Sequence, residues 1–144
     1  MITYALFFLF VYTSLSKLFA FDYYLYDLKR SPLLGNYAMI IAIIVPAAEL
    51  LVAALLLPDQ TRKQGLTGSL MLMILFTGYV VYVLAFTSSR PCTCGGIIRQ
   101  LSWPNHLLFN ISFLLLAILG IHLENKHKTK GKLKTLRVST IIHL

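Results

Sequence analysis

The 144-residue sequence predicts an all-α membrane protein, a bundle of four transmembrane helices with both termini in the cytoplasm. Apolar residues make up 58% of the chain and charged residues 12%, which is about half the usual charged share of a soluble domain. A chain this short cannot bury so much apolar surface inside itself, which argues against a soluble globule. Four apolar stretches are also long enough to cross about 30 Å of hydrocarbon.

The four predicted spans divide the chain into a membrane domain, residues 1–123, and a basic tail, residues 124–144. The spans are residues 2–21, 37–57, 66–87 and 106–123. The first lacks the basic start and the small-residue cleavage site of a signal peptide, so we expect it to be retained. Connections rich in turn-forming residues lie at 22–36, 58–65 and 88–105.

The basic residues predict the orientation. The formal net charge is +8, but the Lys and Arg residues lie mainly in the connections and the tail, so they indicate membrane topology rather than a nucleic-acid partner. With the N-terminus inside, the cytoplasmic side holds eight of them: Arg62, Lys63, Lys126, Lys128, Lys130, Lys132, Lys134 and Arg137. The outer connections hold four: Lys29, Arg30, Arg90 and Arg99. This excess predicts cytoplasmic termini, with the tail near anionic lipid headgroups.

Both cysteines lie in the outer connection 88–105, on the side of the membrane where disulfides persist. Cys92 and Cys94 are separated by one residue, so a disulfide between them strains the short backbone and favours a labile, exchangeable bond. Arg90 is close enough in sequence to stabilise a thiolate. A redox dithiol, a metal site formed with His106, and an inert pair packed as small apolar residues all fit this pattern.

Polar residues inside the predicted spans form a second set of candidates. His106 and Asn110 share one face at the start of the fourth span, where His106 could move a proton during thiol exchange or simply cap the helix with Asn110. Glu49 lies about 18 Å along the second span and must be protonated or paired at that depth. Lys17 is the one basic side chain embedded in a span. We therefore expect Glu49 to face the interior and to contact Lys17 or a polar group such as Asn110, as a structural pin or as a proton relay.

These motifs resemble the MauE/DoxX family of small redox-associated membrane proteins over about the first 123 residues. The matching segments stand in the same order on the spans: Ser16-Lys17-Leu18, Pro46-x-x-Glu49, Cys92-x-Cys94-Gly95-Gly96 and the entry into the fourth span. The resemblance implies a four-helix bundle linked to disulfide chemistry of exported proteins. It further implies a role like that of the member associated with maturation of methylamine dehydrogenase, whose small subunit carries many disulfides.

A more distant resemblance to four-helix, quinone-linked disulfide enzymes makes a quinone the cofactor to consider. Those enzymes carry a Cys-x-x-Cys pair and usually a second shuttle pair, whereas this chain has only Cys92 and Cys94. Electrons would have to pass directly between that pair, a partner thiol and an acceptor. The quinone-reduction step of those enzymes therefore cannot be carried over directly to this chain.

The leading interpretation is a thiol–disulfide redox protein of the bacterial inner membrane. Cys92 and Cys94 would exchange with a periplasmic thioredoxin-like partner or a client protein, assisted by His106 and Arg90. The alternative is a non-enzymatic scaffold of a larger membrane complex, using a face of the third span formed by Gly68, Met71, Leu75, Gly78 and Tyr82. A weaker alternative is metal or haem handling through the two cysteines and His106.

Overall fold

A computed structural model describes residues 1–31, 33–86 and 103–142, and over these ranges the chain is helical with no β-strand. The elements follow in the order α1 (Ile2–Phe19), α2 (Phe21–Arg30), a 3₁₀ turn (Gly35–Tyr37), α3 (Ala38–Leu56), α4 (Arg62–Phe86) and α5 (Trp103–Ile142). The predicted all-α class is confirmed.

Four segments are long and apolar enough to cross a membrane: Ile2–Phe19, Gly35–Leu56, Arg62–Phe86 and Pro104–Lys126. They contain 18 to 25 residues each, which corresponds to about 27–38 Å of helix. Large apolar side chains point away from the bundle on every span, as with Phe8, Ile43, Leu75 and Leu115. A bundle that exposes such residues on all sides requires a lipid environment. The four predicted spans are therefore confirmed.

The first connection contains a helix that the sequence analysis did not predict. Residues 22–36 were expected to form only a connection, but α2 occupies Phe21–Arg30. Its Tyr24 and Leu28 pack against Ala38 and Ala42 at the start of α3. Apolar residues at positions 21, 24, 25 and 28 have helical spacing, so the pattern was present but shorter than a membrane span.

The interior of the bundle is formed by apolar residues from α1, α3, α4 and α5. The buried members of this core are Leu6, Leu9, Phe10, Val52, Ala53, Leu56, Leu66, Met73 and Ala117. A Cβ atom added to Gly120 would lie 3.2 Å from Ile2 Cγ2 and 2.9 Å from Leu66 Cδ2. The beginning of α1 therefore lies beside the part of α5 near the end of the fourth span, Pro104–Lys126.

α1 is fixed to α3 by a buried hydrogen bond. The Ser14 hydroxyl donates to the Pro46 backbone carbonyl at 3.0 Å, and Ser14 has no exposed surface. Pro46 lies inside α3 and has no N–H to donate, so α3 lacks one of its regular backbone bonds at this point. The carbonyl that loses its regular donor is that of Ala42, one turn earlier, so the Ser14 bond to Pro46 is an additional contact between α1 and α3 and does not replace the missing bond.

α5 is longer than the predicted fourth span. Residues 106–123 were expected to cross the membrane and residues 124–144 to form a basic tail, but the helix is continuous to Ile142. Its 40 residues correspond to about 60 Å, roughly twice the hydrocarbon thickness. Residues 124–142 of the basic tail are therefore a helical continuation of the last span.

The close approach of α3 and α4 predicts that two glycines of α4 differ in how much their substitution by alanine changes stability. A Cβ atom at Gly65 would lie 2.7 Å from the Leu56 backbone nitrogen, whereas one at Gly78 would meet no atom within 4 Å. Because backbone atoms cannot move aside cheaply, we expect Gly65→Ala to lower the free energy of unfolding by about 1–3 kcal/mol.

Gly78→Ala is the matched control, since it is the same substitution on the same helix. It should leave stability unchanged or raise it by up to about 1 kcal/mol through helix propensity. Unfolding of both variants in mixed detergent–lipid micelles measures the difference. Equal effects of the two substitutions would contradict the close α3–α4 approach.

Candidate functional site

The buried polar side chains of the membrane-spanning part include Lys17, Glu49, His106 and Asn110, which we call the polar cluster. Their exposed fractions are 7%, 0%, 6% and 4%. Ionisable groups at such depth are expensive to bury and usually have a functional role or a charged partner. The polar cluster is therefore the candidate functional site.

Lys17 and Glu49 form a direct ion pair between α1 and α3. Lys17 Nζ lies 2.7 Å from Glu49 Oε1. Lys17 Nζ also lies 3.4 Å from the Thr13 backbone oxygen, one turn nearer the start of α1. The lysine thus bends back into the bundle instead of extending towards the nearer membrane surface, as helical side chains that lean towards the N-terminus can do. The predicted inward orientation of Glu49 and its contact with Lys17 are confirmed.

The remaining contacts of the ion pair come from α1 and α4. The Thr13 side chain interacts with the Glu49 carboxylate. From α4, the ring of Phe76 lies under Lys17, with 5.6 Å between Nζ and the ring centroid. A cation over an aromatic face is favourable, and more so away from water. Phe76 was missed by sequence reasoning, because an apolar residue in an apolar span carries no signal that it faces a lysine.

Of the two Glu49 oxygens, Oε1 is the one bonded to Lys17. Oε1 accepts from Lys17, whereas Oε2 is buried and has no hydrogen-bond donor in the described part of the chain. A carboxylate oxygen can accept more than one hydrogen bond, so Oε2 is a vacant acceptor position. Chemically, it is the place in the bundle where a proton or a further donor could bind.

α5 brings His106 within the electrostatic influence of the ion pair. His106 is the fourth residue of α5, and Asn110 follows one turn later on the same face. The positive charge of Lys17 acts electrostatically on His106. The polar cluster therefore begins one turn inside the end of α5 that receives the chain from α4.

The cysteines are related to this cluster by the order of the chain. Cys92, Cys94 and Arg90 lie outside the described residues, in the segment that joins Phe86 of α4 to Trp103 of α5. Among the residues that the structure describes, no group of three His, Cys, Asp or Glu side chains could hold a metal ion. The ligand set proposed for metal, Cys92 and Cys94 with His106, falls mostly outside those residues, so it stays a prediction.

The buried ion pair leads to a prediction about stability. Removing one partner leaves the other charge buried alone, so we expect Lys17→Met and Glu49→Gln each to lower the free energy of unfolding by about 3–5 kcal/mol. The double variant should lose much less than the sum of the two, because it removes both charges together. Unfolding in detergent–lipid micelles measures the cycle.

The exposed ion pair between Asp59 and Arg62 provides the control. It lies at the start of α4 with the Asp59 side chain largely in solvent, so Asp59→Asn should have little effect. Strictly additive losses in the Lys17 and Glu49 double variant would contradict direct pairing of these two groups.

Comparisons with known proteins give one match. The sequence model of the family described as "Methylamine utilisation protein MauE" matches residues 1–123, which contain all four candidate spans up to Leu123 and the complete polar cluster. No curated protein and no solved structure matches the chain. The match covers most of the sequence and agrees with the four-span architecture, so the chain is a multi-pass membrane protein that belongs to the MauE family.

Proposed function

We propose that this protein is a thiol–disulfide redox protein of the bacterial inner membrane that supports disulfide formation or maturation of exported proteins. The observation that carries the proposal is the position of Cys92 and Cys94 in the chain. They lie in the segment that leads directly into α5, whose first turn holds the buried His106 of the polar cluster. The family description names methylamine utilisation, and the maturation role is proposed from the resemblance to the member associated with maturation of methylamine dehydrogenase.

The proposed orientation places this segment in the periplasm. Four spans that alternate in direction would bring the start of α1 and the end of the fourth span to one end of the bundle, and the segment that carries the cysteines to the other. The excess of Lys and Arg at the first end favours the cytoplasm for that side. The cysteines would then face the compartment in which disulfides form and persist.

The proposed chemistry is exchange with a thioredoxin-like partner or a client thiol protein. For disulfide formation, a client thiolate attacks the Cys92–Cys94 disulfide to form a mixed disulfide, and a second client thiolate then displaces the cysteine. Two electrons and two protons pass from the client dithiol to the cysteine pair. Each further turnover needs an acceptor that reoxidises the pair; a quinone in that role is a separate proposal that rests only on resemblance. Arg90 and His106 would favour the thiolate.

The two cysteines make a direct test simple, since the chain has no others. We expect the purified protein to bind two thiol-reactive labels after reduction and none after oxidation, in a reversible cycle measured by intact mass. In Cys92→Ser and Cys94→Ser variants, the remaining thiol should stay labelled after oxidation, because its intramolecular partner is absent. If neither thiol of the unmodified protein is ever protected under oxidising conditions, the proposal is wrong.

One observation favours the alternative of an assembly subunit. Met71 and Leu75 of α4 are more than half exposed, and nothing lies within 4 Å of a Cβ atom at Gly78. Gly68, which was expected on the same face, instead packs against Val52 of α3. The face is therefore narrower than expected, and lipid alone could cover it. Full function of a Cys92→Ser, Cys94→Ser double variant would support this alternative.

A further inference from the structure

The helix α2 joins the first two spans, and both of its ends lie at span ends. It begins at Phe21, two residues after the end of α1, and the Tyr24 N–H donates to the carbonyl of the intervening Ala20. At the other end of α2, a Cβ atom on Gly35 would lie 2.8 Å from the Lys29 carbonyl oxygen, and Gly35 is the first residue of the second span. Because consecutive spans leave and re-enter the membrane on the same side, both ends of α2 are held at one membrane surface.

α2 itself can neither cross the hydrocarbon nor lie within it. Its ten residues correspond to about 15 Å of helix, whereas the hydrocarbon is about 30 Å thick. Four of the ten residues are charged: Asp22, Asp27, Lys29 and Arg30. Charged side chains are costly in hydrocarbon, so α2 belongs outside it.

The residues that flank α2 show that lipid reaches the same level of the molecule. Phe19, the last residue of α1, is 88% exposed, and Tyr37, just before α3, is 64% exposed. Met39 and Ile40 in the first turn of α3 are more than half exposed. Large apolar side chains exposed this far need lipid around them. α2 therefore lies between two lipid-contacting chain segments and cannot stand clear of the membrane.

The two faces of α2 differ in chemistry. Tyr24 and Leu28 pack inward against the start of α3. Tyr23, Tyr26 and Arg30 have the spacing of one helical face and point away from the bundle; we call them the outer face. The two tyrosines are 64% and 57% exposed, and Arg30 Cζ lies 5.6 Å from the centroid of the Tyr26 ring.

The outer face has the chemistry of the layer between hydrocarbon and water. Tyrosine combines an apolar ring with a hydroxyl group and is enriched at this boundary in membrane proteins. The guanidinium group of arginine fits phosphate through paired hydrogen bonds. The chain has eight tyrosines, and half of them lie in or next to α2: Tyr23, Tyr24, Tyr26 and Tyr37.

We propose that α2 is an interfacial helix whose outer face docks into the phospholipid headgroup layer, with its tyrosine rings at the edge of the hydrocarbon and Arg30 beside lipid phosphates. Lipid is the occupant, because the outer face adjoins lipid-exposed residues at both ends of the helix. The two acidic and two basic residues of α2 balance, so the docking depends on the tyrosines and on local phosphate contact. This inference does not depend on the proposed thiol chemistry.

The experiment measures the depth of a tryptophan on the outer face of the full-length protein in lipid nanodiscs. Trp103 is the one tryptophan of the sequence, so Trp103→Phe gives a background into which Tyr26→Trp is introduced. Quenching by lipids with a spin label in the headgroup, or near the end of the acyl chain, gives the distance from the bilayer centre. We expect about 15 Å, half of the hydrocarbon thickness, with stronger quenching by the headgroup label.

Leu75→Trp in the same background is the matched control. Leu75 is 66% exposed and lies one residue from the middle of α4, so a tryptophan there should lie within about 5 Å of the bilayer centre. The acyl-chain label should then quench it more strongly, which reverses the order found for Tyr26→Trp. Tyr23→Trp lies on the same face as Tyr26 and should give the Tyr26→Trp result, so it serves if Tyr26→Trp does not fold.

Quenching by aqueous acrylamide separates the contrary outcomes. If the outer-face tryptophan is quenched by acrylamide as strongly as free tryptophan and by neither lipid label, the outer face lies in solvent and the inference is wrong. If the tryptophan is shielded from acrylamide and from both lipid labels, protein covers the outer face, and the inference is wrong as well.

Two further comparisons test the role of charge. The depth of the tryptophan should be the same in nanodiscs of phosphatidylcholine alone and with added phosphatidylglycerol, because α2 has no net charge; docking only on the anionic lipid would overturn the inference. Arg30→Glu, with Tyr23→Trp as the probe, should increase acrylamide quenching, since a carboxylate is repelled by lipid phosphate. Lys63→Glu at the start of α4 is the control and should leave quenching unchanged. An unchanged value with Arg30→Glu would contradict the phosphate contact.

Discussion

The arrangement of the bundle depends on the burial of the Lys17–Glu49 ion pair. Two charges have been brought out of water into the interior of the spans, and each is tolerable there only because the other is 2.7 Å away. This condition fixes which faces of α1 and α3 meet. One turn away, the hydrogen bond from Ser14 to the Pro46 carbonyl holds the same faces of α1 and α3 together. The apolar core packs around this charged contact between α1 and α3.

The position of the pair also determines what α4 and α5 must present. A lysine inside the bundle needs a compatible neighbour on every side, and α4 supplies the ring of Phe76. α5 supplies the buried His106 and Asn110 in its first two turns. The segment with both cysteines directly precedes this helix in the chain.

The parts of this structure that follow from single-residue physics were predictable, and those that follow from packing were not. The spans were found because hydrocarbon thickness sets their length, and the partner of Glu49 because Lys17 is the one basic side chain embedded in a span. α2 was missed because ten residues are too few to show as a span, although Tyr24 and Leu28 have helical spacing. The continuation of α5 beyond Leu123 was missed because polar composition does not end a helix. Phe76 and the Ser14–Pro46 bond become visible only once the helices are placed side by side.

Stability alone does not explain why the interior contains an ion pair. A buried pair can often be replaced by apolar residues of similar volume with no loss of stability, since the desolvation of both charges offsets most of their attraction. Apolar residues at positions 17 and 49 would match the rest of the core and would leave no buried acceptor without a donor, as Glu49 Oε2 now is over the described residues. A pin between α1 and α3 is already available in the Ser14–Pro46 hydrogen bond. What the charged pair adds, and apolar packing cannot, is an ionisable carboxyl group held against a single lysine inside the bundle.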